Sequence, residues 1–97
     1  MKIEISPKEY ERRLNWNDAI FYCQLLVIDD KIDWRLPTKE ELNFIFNSEN
    51  DFKGECYWSS TKGDGHGVWA QYMDTGTRHS SYGPFIIFYF RPVRTLT

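Results

Sequence analysis

Trp34-Arg35-Leu36-Pro37-Thr38-Lys39-Glu40-Glu41-Leu42 decides how the chain is read, because it leads from a buried turn straight into a helix. Pro37 fixes its own φ and disfavours a helical conformation at Leu36, so the backbone arrives extended and turns sharply. Thr38 and Glu41 have the T-x-x-E spacing of a capping box. The Thr38 hydroxyl accepts from the Glu41 N–H, and the Glu41 carboxylate accepts from the Thr38 N–H. Acidic side chains in that first turn also suit the positive end of the helix dipole. Trp34 and Leu36 pin the entrance to the core beneath, while Arg35 points the other way or finds a carboxylate.

Working outward, the helix that opens at Lys39 runs to about residue 47 and puts Leu42, Ile45 and Phe46 on one face. Before the turn, Asn15 caps a helix beginning at Trp16, with Asp18 placed to answer the cap. Ala19, Ile20, Cys23, Leu26 and Val27 recur at three- and four-residue spacing. They predict an amphipathic helix of about fourteen residues that stops near Asp29-Asp30-Lys31. Ile3 and Ile5 predict a short strand ending at Ser6-Pro7, and residues 8–14 are too polar to assign. Beyond the polar loop at Ser48-Glu49-Asn50-Asp51, β-prone runs alternate with glycine-rich turns. Strands are expected at 57–61 and 68–73, joined by the flexible glycine loop Lys62-Gly63-Asp64-Gly65-His66-Gly67. Asp74-Thr75-Gly76 closes a hairpin into residues 77–80. Phe85-Ile86-Ile87-Phe88-Tyr89-Phe90 is nearly all apolar and predicts a central strand covered on both faces. Two helices followed by strands make the class α+β.

Ninety-seven residues are one domain's worth of chain, 1–97. A formal net charge of −2 advertises neither a phosphate backbone nor an anionic membrane, so nucleic acid and membrane are not expected partners. No apolar run reaches membrane-spanning length, and residues 1–5 alternate polar and apolar without the h-region of an export signal. The expected setting is therefore cytoplasmic or a phage particle. Cys23 and Cys56 make no disulfide framework and no metal-spaced pattern, and read as two buried thiols. Aromatic residues make up 18% of the chain, more than a minimal core uses, so some should be on display.

Trp-Arg-Leu-Pro-Thr at 34–38 with Glu41-Leu42, Tyr-Trp-Ser-Ser-Thr at 57–61, Trp69-Ala70, and Phe-Arg-Pro-Val-Arg at 90–94 follow one another in order. In these motifs the chain, from about Leu14 to Arg94, resembles the Lcl C-terminal domain family. That is an uncharacterised group of small bacterial and phage modules with a C-type-lectin-like fold, distantly akin to formylglycine-generating enzymes. The resemblance implies two helices flanking a twisted antiparallel sheet, with the N- and C-terminal strands paired. Relatives often carry a cysteine where Pro92 stands, and it would pair with the cysteine corresponding to Cys23; here that bridge cannot form. Calcium-binding lectins use a Glu-Pro-Asn or Gln-Pro-Asp loop and a later Trp-Asn-Asp on a strand. Trp16-Asn17-Asp18 stands instead at a helix start, where it reads as a cap. Formylglycine-generating chemistry needs cysteines late in the chain, and none follows Cys56.

Other chemistries find little support in the residues. Asp64, His66, Asp74 and His79 could ligate a metal but lack ligand spacing. Ser59, Ser60, Ser80 and Ser81 sit in no nucleophile elbow. Gly63, Gly65 and Gly67 lie between strands, whereas a phosphate cradle normally opens a helix. No cofactor, metal or catalytic residue is expected. Trp69, Gln71, Arg78, His79, Ser81 and Tyr82, with Tyr72 and Ser80 beside them, combine stiff aromatics with short adaptable polar groups, as binding surfaces do. The competing reading makes Trp58 and Trp69 core and 78–82 an ordinary solvated turn. The sequence therefore suggests a non-enzymatic module binding a protein or glycan through loops at 62–67 and 75–84. The alternative is an assembly unit whose exposed aromatics form a homo-oligomer interface.

Overall fold

The segment around Trp34 is held from both sides, as the computed structural model of the chain, which describes residues 2–96, makes plain. Arg35 exchanges two backbone hydrogen bonds of 2.8 Å with Val93 of β7 (Val93–Thr95). The Pro37 carbonyl accepts from the Ser60 N–H of β3 (Cys56–Lys62) at 2.8 Å. Trp34, Leu36 and Pro37 are all buried there. Thr38 caps α2 (Lys39–Phe46) with the expected box: its hydroxyl accepts from the Glu41 N–H at 3.1 Å, and the Glu41 carboxylate accepts from the Thr38 N–H at 2.8 Å. Arg35 finds a carboxylate, and it is the one already in the box: its guanidinium meets both Glu41 oxygens, at 2.7 and 2.9 Å.

The other helix, α1 (Trp16–Leu25), begins where expected, with the Asn15 Oδ1 accepting from the Asp18 N–H at 2.9 Å. It ends sooner than its apolar spacing predicts. Leu26 is already extended, and Asp29 and Asp30, at φ 50° and 66°, make a two-residue turn that closes Ile28 against Lys31. Two successive positive-φ residues are what such a tight turn requires. Val27 consequently leaves the stripe and is exposed, while Ala19 and Cys23 remain on its buried side.

Seven strands form two sheets among the described residues. β1 (Ile3–Ile5) pairs antiparallel with β7, so the two ends of the fold meet as expected. The larger sheet has the order β2-β6-β3-β4-β5, with β2 at Arg12–Leu14, β4 at Val68–Tyr72, β5 at Arg78–Tyr82 and β6 at Phe88–Phe90. Two expectations need correction here, and one unassigned stretch takes on structure. Residues 8–14, too polar to assign, hold a 3-10 turn and the edge strand β2. The sheet is mixed rather than antiparallel, because β3 and β6 run parallel with Tyr57 opposite Tyr89. The apolar run 85–90 is strand only from Phe88. A turn at 83–86, closed by the Ile86 N–H on the Gly83 carbonyl, leaves Phe85 85% exposed.

Alternation along β3 sends neighbours to opposite faces of the sheet and so separates two layers. Trp58, Cys56, Val68, Ala70 and Phe90 pack with Ala19 and Cys23 of α1 and with Leu36. Tyr57 and its cross-strand partner Gln71 face the other way, toward α2, whose Asn43 bonds Gln71. That second layer also holds a charge cluster. Arg91, 3% exposed, meets Glu11 at 3.3 Å and Asp51 at 2.8 Å, and Glu11 accepts the Tyr57 hydroxyl at 2.7 Å. Each buried ion thus has an opposite charge or a donor beside it, which is the condition for burying it at all. The arrangement is α+β and compatible with a C-type-lectin-like fold.

Candidate binding cleft

The β3–β4 register shifts between Trp58 and Lys62, and beyond it residues 63–67 stand out of the sheet as a closed loop. Its backbone is bonded to itself and to β5: Gly63 N–H to the Gly67 carbonyl at 2.9 Å, Gly67 N–H to the Asp64 carbonyl at 2.8 Å, and Asp64 N–H to the Ser80 carbonyl at 3.1 Å. The Ser80 hydroxyl donates to the Asp64 carboxylate at 2.9 Å. The expected loose hairpin is therefore a fastened one. The glycines permit it: a Cβ at Gly67 would stand 2.6 Å from the Ser80 carbonyl oxygen, and one at Gly63 would meet the same atom closer still.

Facing this loop is the first turn of α1. The Trp16 indole N–H donates to the Ser59 carbonyl at 2.9 Å, and the Trp16 backbone N–H to the Pro84 carbonyl at 3.0 Å, so one residue ties the helix start to β3 and to the 83–87 turn. Loop and helix enclose a cleft of about 220 Å³ lined by Trp16, Asn17, Lys62, His66, Val68 and Pro84, with Gly65 and Gly67 at its rim. The side chains of Asn17, Lys62 and His66 make no hydrogen bond or ion pair to another of the described residues. A carboxamide, an ammonium and an imidazole therefore keep their hydrogen-bonding capacity around one aromatic edge. A pocket of this kind, with an apolar wall and a few convergent polar groups, suits a small polar moiety.

The residues singled out from the sequence fall elsewhere, on β4 and β5 rather than on loops, and the sheet divides them. Trp69, Gln71 and Arg78 belong to the α2 face, where Gln71 pairs with Arg78 across the strands. His79 and Tyr82 belong to the other face, with their rings 5.8 Å apart. Gln71 is 1% exposed, and its amide donates to Asn43 and to the Gly76 carbonyl, so it lies below the surface. Tyr82 packs edge-on to Phe88 at 5.1 Å, and burial pushes its phenol up to about 12. His79 and Ser81 are exposed on β5. Trp69 is half-buried, with Lys39 and Arg78 against its ring.

Sequence reasoning found the glycine loop but not its opposite wall. Trp16-Asn17 was legible only as part of a cap, and nothing in the spacing says that residue 84 returns to it. No group of three or more His, Cys, Asp or Glu side chains converges as a metal site among the described residues. Cys23 and Cys56 are free and buried. Burial pushes both thiols up to about 12, Glu55 adding to the effect at Cys56, so neither is a ready nucleophile. No helix among the described residues is long and apolar enough to cross a membrane.

With this geometry in hand, the comparisons with known proteins give one positive finding. The model of the Lcl C-terminal domain family matches residues 4–94, nearly the whole chain, and the chain belongs to that family. No curated protein matches it at a significant level.

Proposed function

We propose that this member of the Lcl C-terminal domain family is a non-enzymatic recognition module that takes a protein or glycan group into the cleft between residues 63–67 and the start of α1. The observation that carries the reading is the cleft itself: three unpartnered polar side chains around Trp16, with Asn17 on α1, Lys62 at the end of β3 and His66 on a loop that glycine packing and four hydrogen bonds hold in shape. Preorganised walls lower the entropy that a ligand must overcome on binding. The protonated buried thiols and the Ser80 hydroxyl tied to Asp64 support a role without covalent chemistry. The setting we suppose is a phage particle or bacterial cytoplasm, in keeping with the two free thiols Cys23 and Cys56.

A glycan array and a protein array, probed with the wild-type chain, Asn17→Ala and His66→Ala, test this. Binding that both variants weaken about tenfold, the size expected for losing a well-formed polar contact, supports the cleft. Equal binding by all three chains would remove the cleft as the site, and silence on both arrays would remove recognition as the function.

A second reading, assembly, rests on a different face. Phe21 and Leu25, 60% and 66% exposed, edge a shallow apolar hollow on α1 that also includes Leu14, Tyr22 and Leu26. Light scattering at several concentrations decides it. A mass that stays monomeric favours recognition alone, whereas a dimer abolished by Leu25→Glu makes α1 an interface.

A further inference from the structure

Phe85, Ile86 and Ile87 are large apolar residues in an unbroken row, and all of them are exposed. Single apolar side chains on a surface need no explanation, but a consecutive run of them does. Turn geometry does not supply one. The turn is Gly83-Pro84-Phe85-Ile86, closed by the Ile86 N–H on the Gly83 carbonyl at 3.2 Å. Pro84 stands at its second position, where a fixed φ is favoured, and Phe85 at its third, where glycine or a small polar residue serves best. Strand pairing does not supply one either, because the rungs to β2 begin only at Phe88.

This tip stands at the rim of the cleft. Pro84 lines the cleft and its carbonyl accepts the Trp16 backbone N–H at 3.0 Å, and the Phe85 Cα follows about 3.8 Å along the chain. A polar hollow and an apolar projection are thus joined through one proline. The cleft side is rich in donors: the Lys62 ammonium, the Asn17 carboxamide and His66 line it, and no carboxylate does. The acidic side chains nearest to these in sequence are already engaged, Asp64 by the Ser80 hydroxyl at 2.9 Å and Asp18 by the Asn15 amide at 3.2 Å. On the far side of the tip, Arg13 and Glu55 share a hollow with Ile87, so that flank carries one charge of each sign and does not draw the tip to an anionic membrane.

We propose that the group entering the cleft belongs to a protein, which presents an acidic side chain to Lys62, Asn17 and His66 while a large apolar side chain beside it covers Phe85, Ile86 and Ile87. This assignment rests on the reading that the cleft is the binding site, and it selects one of the two ligand classes that the cleft alone admits. A sugar ring has a narrow C–H face edged by hydroxyls and leaves most of such a row in water, whereas a protein contact centres on a projecting aromatic anchor with polar groups around it. The apolar cover also excludes water from the ion pair next to it, which strengthens the pair. Pro84 holds the tip in shape before binding, which lowers the entropy lost there.

The probe is a phage-displayed library of random dodecapeptides selected on the wild-type chain. Enriched sequences should share an Asp or Glu close to a Leu, Ile, Phe or Trp. A synthetic peptide of that motif should bind about tenfold more weakly to Lys62→Gln, to Asn17→Ala and to Phe85→Ser, with the urea midpoint of Phe85→Ser unchanged because the side chain is exposed. Weakening by Lys62→Gln and Asn17→Ala but not by Phe85→Ser would keep the cleft as the site and overturn the joint contact. Weakening by Phe85→Ser alone would remove the cleft, and the assignment with it. No enriched motif, or a motif without an apolar residue, would overturn the assignment as well. Light scattering and flotation with phosphatidylcholine–phosphatidylglycerol vesicles cover the other occupants. Self-association or vesicle binding that Phe85→Ser abolishes would give the tip to a second copy or to a bilayer, and either result overturns the proposal.

Discussion

Glu41 is one carboxylate with two duties. It completes the capping box on Thr38 and receives the Arg35 fork, and Arg35 in turn reaches the Thr95 hydroxyl at 2.8 Å. The hydrogen bonds from Arg35, and then that from the Thr38 N–H, hold the Glu41 carboxyl below its ordinary value in spite of partial burial. Its partners make the charged form the native one. Thr38→Ala removes one hydrogen bond of the box and leaves the Glu41 N–H without its acceptor. We expect a loss of about 1 kcal/mol, read as a lower urea midpoint; an unchanged midpoint would mean that Arg35 alone positions the carboxylate. Both members of the box were legible from their spacing, a local property. The destination of Arg35 was not, because Thr95 comes beside it only through the folded sheet.

At the scale of elements, ends were harder to read than beginnings. Asn15 and Thr38 announce their helices through side chains that bond the backbone three residues on, whereas α1 stops at Leu25, with Leu26 extended although the apolar spacing continues. An apolar run has a similar ambiguity. Phe85-Ile86-Ile87 has strand propensity, but the partners β2 and β3 bond only the last three residues of the run. The same limit applies to the site: alternation says which residues share a face, not which face a helix will cover. It is why Gln71 is lost to the surface and Tyr82 is half core. Tyr82→Ala should cost about 2 kcal/mol of stability, because its ring fills space against Phe88. Arg78→Ala, on the same strand but exposed and touching only the Trp69 ring, should stay within about 0.5 kcal/mol. Urea denaturation of the two variants side by side checks the pair, and equal losses would contradict the assignment of Tyr82 to the core edge.

For the molecule as a whole, pH reads out the core. The ordinary thiol value of 9.0 is pushed up to about 12 at Cys23 by burial, and at Cys56 by burial and then by Glu55. A group that holds its proton more tightly when folded stabilises fully below its unfolded value and loses that contribution as pH rises toward the folded one. The thiols' contribution should therefore be constant below pH 9.0 and fall between there and about 12. The check is a series of urea midpoints on the alkaline side, for the native chain and for Cys23→Ala with Cys56→Ala. The double variant should keep the decline that begins near 10.0, the ordinary value of Tyr57 and Tyr82, both of whose phenols burial pushes up. A native midpoint that does not move would place the thiols in contact with water.

The pairing of β1 with β7 has a mechanical consequence. Ile3 lies opposite Thr95 and Ile5 opposite Val93, so both chain ends leave the two-stranded ribbon on the same side. A force that pulls those ends apart loads the ladder one rung at a time, as a zipper is opened, instead of shearing all its rungs together. The next rung after the ribbon is the Arg35–Val93 bridge, the tie that seats the turn before α2. Stretched between two anchors, the domain would yield at its termini at low force, and that opening would reach the capped helix before it disturbed the five-stranded sheet.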